Sequence, residues 1–186
     1  MRVPRPDAAA LPQPQRLFFA LLPDDTLRGR IAAAAAHIER AHPSGGRPLA
    51  PARYHLTLRF LGDFEAVPPA LIAAARAAGE AVRARAFTLT LDHVGSFADS
   101  RVRWLGVAAD GPLQALRQAL DRALAAAGVA LPAEAFVPHL TIVRAAQRAL
   151  APALAIDPLS WSVDGFALLA SRPGRPYEIL QRRRLA

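Results

Sequence analysis

The chain has 186 residues, 53% of them hydrophobic and 20% charged, enough to bury a sizeable core and too apolar for a disordered chain. It contains no cysteine, which excludes disulfides, thiolate metal sites and Cys nucleophiles. All 23 basic residues are arginine against 15 acidic ones, a formal net charge of +8; this excludes lysine-dependent mechanisms and suits a polyanionic partner.

The stretch 1–15 carries four prolines and no apolar core of a secretory signal, and is expected to be a disordered tail. "RLFFALL" (16–22) predicts a strand. The following "PDDTLRGRIAAAAAHIERAH" predicts a helix, with Asp24 as its N-cap and an alanine run of high helix propensity. A Pro/Gly loop (43–52) leads to an alternating strand over 54–62 and a second helix over 68–85. A strand pair is expected at 87–97 and 101–108. A third helix follows over 111–128, opened by Pro112 and closed by Gly128. Strands at 137–144, 159–171 and 177–185 complete the chain. Neighbouring strands suggest antiparallel pairing, hence an α+β fold over 16–186. No uninterrupted apolar run of about 18 residues occurs, so no membrane-spanning helix is expected. With the missing cysteines, this fits a cytoplasmic protein.

One pattern is written twice: "HLTLRF" at 55–60 and "HLTIVR" at 139–144. On a strand, residues two apart share a face. His55, Thr57 and Arg59 would share one face, with Leu56, Leu58 and Phe60 on the core side. His139 and Thr141 would likewise oppose Leu140 and Ile142, while Arg144 falls out of phase with His139 on a straight strand. Two such strands facing each other place two imidazoles across a cleft. Imidazoles titrate near ~6.5, so a pair can supply one base and one acid at the same pH. Hydroxyls and a guanidinium beside them can hold the oxygens of a phosphate. Displacement at phosphorus needs that set and no metal. Two histidines on separate strands without a carboxylate third ligand make a poor zinc site.

These residues resemble the two-histidine phosphoesterase superfamily. The closer resemblance is to bacterial and archaeal RNA 2',3'-cyclic phosphodiesterases, also called 2'-5' RNA ligases. It runs over about 16–185: "YHLTLRFLGDF" and "FVPHLTIVRA" match the two motifs, and "VGSFADSRVRWLGV" and "SRPGRPYEILQRRRL" resemble the intervening hairpin and closing strands. The resemblance implies a bilobal domain: two mainly antiparallel sheets facing across a cleft, with pseudo-twofold symmetry and helices outside. It implies hydrolysis of a terminal 2',3'-cyclic phosphate to a 2'-phosphate. His55 would donate a proton to the leaving oxygen and His139 would activate water. Thr57 and Thr141 would hold the phosphate, with Arg144 as a phosphate-binding arginine. Arg59 joins the candidates on strand phase alone. No cofactor is expected, and the protein is read as a monomer.

Other residues are read as structural. His37 and His42 belong to solvated surface, His93 is a satisfied histidine on a strand, and Trp104 and Trp161 are core. "RRR" at 182–184 is a solvated edge that could add RNA affinity. Three alternatives stay open: a phosphodiesterase of small cyclic nucleotides, an RNA-binding module without turnover, and 2'-5' ligation as a side activity.

Overall fold

The computed structural model describes residues 14–108, 111–133, 135–150 and 154–186. Most of the tail predicted at 1–15 lies outside these. Gln15, however, is already in the first strand, buried, with its side-chain oxygen accepting from the Val67 backbone N–H at 3.5 Å.

Among the described residues, three α-helices, one 3-10 turn (Pro51–Arg53) and nine strands form. The helices and strands are β1 (Gln15–Leu21), α1 (Asp25–Ala41), β2 (Arg47–Pro48), β3 (Leu56–Phe64), α2 (Pro69–Ala81), β4 (Phe87–Phe97), β5 (Val102–Val107), α3 (Gly111–Ala126), β6 (His139–Arg144), β7 (Leu154–Val163), β8 (Gly165–Ser171) and β9 (Glu178–Arg184). α1 starts where the sequence predicts: the Asp24 carboxylate accepts from the Leu27 N–H at 2.7 Å. Its buried stripe is Leu27, Ile31, Ala35 and Ile38, at helical spacing. α2 stops short of the predicted 85. From Val82 on, the backbone is extended and the chain terminus captures it, with Ala186 N–H donating to the Ala84 carbonyl and Ala86 N–H to that of Ala186. α3 ends at Ala126, two residues short of Gly128, which adopts φ +79°, a conformation that favours glycine.

All strand pairs are antiparallel, in the order β7-β4-β5-β6-β3-β1-β8-β9, with β2 added beside β6. The fold is thus α+β. Two sheets were expected, yet hydrogen bonding joins them into one. The join is narrow: β3 and β6 pair only at Leu56 and Leu140, with β3, β1, β8 and β9 on one side and β6, β5, β4, β7 and β2 on the other.

The stretch 159–171, predicted as one strand, is two. β7 pairs with β4 in one half, and β8 pairs with β1 and β9 in the other, so the chain changes halves at Asp164. Gly165 permits the change. A Cβ there would sit 2.5 Å from the Arg183 carbonyl oxygen.

The main core lies on one face of the sheet. Leu17, Phe19, Leu56, Leu58, Leu140 and Ile142 pack there with the buried stripes of the helices. The opposite face of the β1–β8 region holds a smaller cluster of Phe18, Ala20, Ala167 and Leu169, edged by Leu22, Phe60 and Tyr177. The candidate site opens on this second face.

Candidate active site

Because Leu56 and Leu140 are paired, the residues flanking them surround the join. His55 and Thr57 come from one half, and His139 and Thr141 from the other. All four line a single cavity of about 150 Å³.

Each imidazole is held in the same way. His55 Nδ1 lies 2.9 Å from the Arg53 carbonyl oxygen, and His139 Nδ1 lies 2.7 Å from that of Val137. A carbonyl only accepts, so each Nδ1 must carry the proton. That fixes the tautomer and leaves Nε2 as the nitrogen each ring can offer for chemistry. Aromatic rings hold the imidazoles on both sides. Phe18 and Tyr177 stand 5.2 Å from His55, while Phe97 at 5.0 Å and Trp104 at 6.1 Å flank His139. Trp104 is therefore half-buried beside the site, where the sequence suggested core. Trp161 is core as expected.

Burial pushes the His55 pKa down to about 4, with added repulsion from Arg144, Arg53 and His139. The His139 pKa is also lowered, by burial first and then by Arg144. Both rings are thus neutral at neutral pH.

Straight-strand phase put Arg59 on the face of His55 and left Arg144, placed in the site by resemblance, out of phase with His139; the register of both strands differs from that. Along β3, Ala20 pairs with Thr57 but Phe19 pairs with Arg59, so Leu58 is an extra residue. Along β6, Trp104 pairs with Thr141 but Arg103 pairs with Val143, so Ile142 is extra. These are β-bulges at the same position of both motifs. After each, two consecutive residues are buried, Leu58 with Arg59 and Ile142 with Val143. The sixth residue then returns to the cavity. Arg144 lines it, resolving its phase, and its counterpart in the first motif is Phe60.

Arg59 therefore does not reach the cavity. Its guanidinium donates to the Pro132 carbonyl at 2.6 Å and pairs with Asp121 of α3 at 3.3 Å. Arg59→Gln is expected to leave kcat and KM within about twofold and to cost on the order of 1–3 kcal/mol of stability, the scale of a broken buried polar contact. Steady-state kinetics beside a urea melt would check this; a large loss of turnover at unchanged stability would contradict it.

Six further residues line the cavity, and Arg53, Arg16 and Tyr177 among them escaped the sequence reading. Arg53 has its guanidinium 3.9 Å over the Tyr177 ring, donating to the Arg175 carbonyl at 2.5 Å and to Ser171 Oγ at 3.3 Å. It closes a 3-10 turn over Pro51–Arg53 ahead of β3, where strand phase gives no signal. Arg16, paired with Asp63 at 2.9 Å, and Tyr177, with Oη 3.2 Å from His55 Nδ1, arrive from distant strands and had no local signal. His93 is structural: its Nδ1 lies 2.6 Å from the Asp92 carboxylate and its ring packs on Trp104. Among the described residues no group of three or more His, Asp or Glu is placed to hold a metal ion.

Fold and site together define an α+β protein with paired histidines at the seam of an antiparallel sheet. The chain belongs to the 2'-5' RNA ligase superfamily, whose family model matches residues 23–175. It is 37% identical over 162 residues to the RNA 2',3'-cyclic phosphodiesterase of Escherichia coli, covering 86% of this chain and 88% of that protein. The Thermus thermophilus protein of the same name is 30% identical over 181 residues, 90% of this chain and 88% of its own. Among solved structures, E. coli LigT complexed with 3'-AMP superposes with a TM-score of 0.75 at 34% identity, covering 94% of this chain and 99% of that one.

Proposed function

We propose that this protein hydrolyses RNA 2',3'-cyclic phosphate ends to 2'-phosphates, without a metal, through His55 and His139. The observation that carries the reading is the shared mounting of the two imidazoles. Both are fixed through Nδ1 by a carbonyl two residues earlier, in one cavity with two threonines and Arg144. Its relatives' activity supports the same reading.

The chemistry follows from the groups present. The cyclic phosphate sits among Thr57, Thr141, Arg144 and Arg53, whose donors face its non-bridging oxygens. His139 Nε2 takes a proton from water as the water oxygen bonds to phosphorus. The bond from phosphorus to the 3' oxygen breaks, and His55 Nε2–H gives that oxygen its proton. A 2'-phosphate and a free 3'-hydroxyl result. His139 then holds the extra proton and His55 lacks one; exchange with solvent resets the pair. With a ribose 5'-hydroxyl in place of water, the same forward step gives 2'-5' ligation as a side activity: its oxygen bonds to phosphorus as the 3' oxygen leaves and takes a proton.

This reading makes the pH profile distinctive. One imidazole must be protonated and the other neutral. In the free protein both pKa values are lowered below ~6.5, His55 to about 4. The active protonation state is then most populated on the acid side of ~6.5. A bound phosphate anion offsets the repulsion from Arg144 and Arg53, raising both values. The profile of kcat/KM, which reports the free enzyme, is thus expected to peak below that of kcat, which reports the complex. Steady-state rates across pH 5–9 check this; flat profiles would sink the acid–base pair.

No helix among the described residues is long and apolar enough to cross a membrane. We read the protein as a cytoplasmic monomer acting on RNA ends, with 16–186 as one catalytic domain.

A further inference from the structure

The cavity occupies only one end of its sheet face. Along β8, Ser171 lines the cavity, and Leu169, Ala167 and Gly165 follow on the same face at two-residue steps. Their partners on β9 share that face: Ile179 opposite Leu169, Arg182 opposite Ala167 and Arg184 opposite Gly165. A bulge at Leu180 sets this phase. Arg183 consequently points the other way and donates to the Glu80 carbonyl of α2 at 3.3 Å. Arg182 and Arg184 are exposed, and neither side chain makes an ion pair or hydrogen bond among the described residues. With Leu22 and Asp164 they line a groove of about 240 Å³. Between groove and cavity lie Ile179, 41% exposed, and the edges of Tyr177 and Phe60.

Edge protection alone would account for charges anywhere on β9. It does not account for two unpartnered guanidiniums aligned on the cavity's own face, about 13–20 Å along β8 from Ser171 by strand rise. Cations beyond an apolar and aromatic strip are what a single nucleic-acid strand requires for backbone phosphates and bases. A mononucleotide in the cavity would not span to them. We propose that Arg182 and Arg184 form a second anionic subsite, which takes backbone phosphates of single-stranded RNA on the 5' side of the cyclic end. This rests on the catalytic reading above and makes oligonucleotides, rather than small cyclic nucleotides, the preferred substrates.

The test compares wild type with R182Q/R184Q and with R40Q/R122Q, which removes two exposed arginines from the helices α1 and α3. Substrates are a 2',3'-cyclic mononucleotide and an octanucleotide with the same end. The subsite predicts that R182Q/R184Q raises KM for the octanucleotide about tenfold, weakens its salt dependence, and leaves the mononucleotide unchanged, while R40Q/R122Q does neither. Equal effects on both substrates, no effect, or the same effect in R40Q/R122Q would overturn it. Binding of a fluorescent octanucleotide ending in a plain 3'-hydroxyl supplies a second readout that needs no turnover. If wild type hydrolyses neither substrate, the catalytic reading fails, and loss of this binding in R182Q/R184Q alone still decides the subsite.

Discussion

His55→Ala and His139→Ala are each expected to lower kcat on a 2',3'-cyclic phosphate by about 10²–10⁴-fold, the range of a lost general acid or base. The two rings act in one step, so the double variant should lose far less than the product of the single losses. Neither ring carries the core: Leu56 and Leu140, not the histidines, join the halves. Both variants should therefore melt near wild type. Single-turnover rates beside thermal melts check this. A variant that retained turnover within about threefold would remove its histidine from the mechanism.

The largest expected effect on stability lies outside the cavity, on the side of the sheet that packs on α1. Arg103 is 1% exposed and pairs with Glu39 of α1 at 2.8 Å. It also donates to the His42 carbonyl and, at 3.0 Å, to that of Arg148. The other Glu39 oxygen receives the Ser44 hydroxyl at 2.6 Å. Glu39→Ala strands a buried guanidinium and should cost about 3–5 kcal/mol. Glu39→Ala with Arg103→Met removes the stranded charge and should recover much of that loss, leaving two carbonyls short of a donor. Urea denaturation measures both; a single variant costing under about 1 kcal/mol would show the pair to be dispensable.

Much of the site was legible because its signal is local. His55 with Thr57 and His139 with Thr141 are each two apart on a strand, and the repeat marks both copies. The helices were legible for the same reason, since caps and apolar spacing act within a few residues, as at Asp24 and Gly128.

What failed was phase and partnership. A bulge depends on the neighbouring strand, so Leu58 and Ile142 gave little warning of it; the adjacent apolar pair Ile142–Val143 was the one hint. That single residue sends Arg59 to α3 and brings Arg144 to the cavity. The halves into which β7 and β8 divide are likewise set by pairing with β4 and β1, hundreds of atoms away along the chain. Tyr177 and Arg16 reach His55's cavity only through that pairing.

The proposed mechanism stands on a metal-free histidine pair that opens a cyclic phosphate. Phosphorus NMR of an RNA carrying a 2',3'-cyclic end, incubated with wild-type protein in excess EDTA, tests it most directly. Conversion to a 2'-phosphate is expected, at a rate unchanged by the chelator. A 3'-phosphate product, or activity lost in EDTA and restored by a divalent cation, would contradict it.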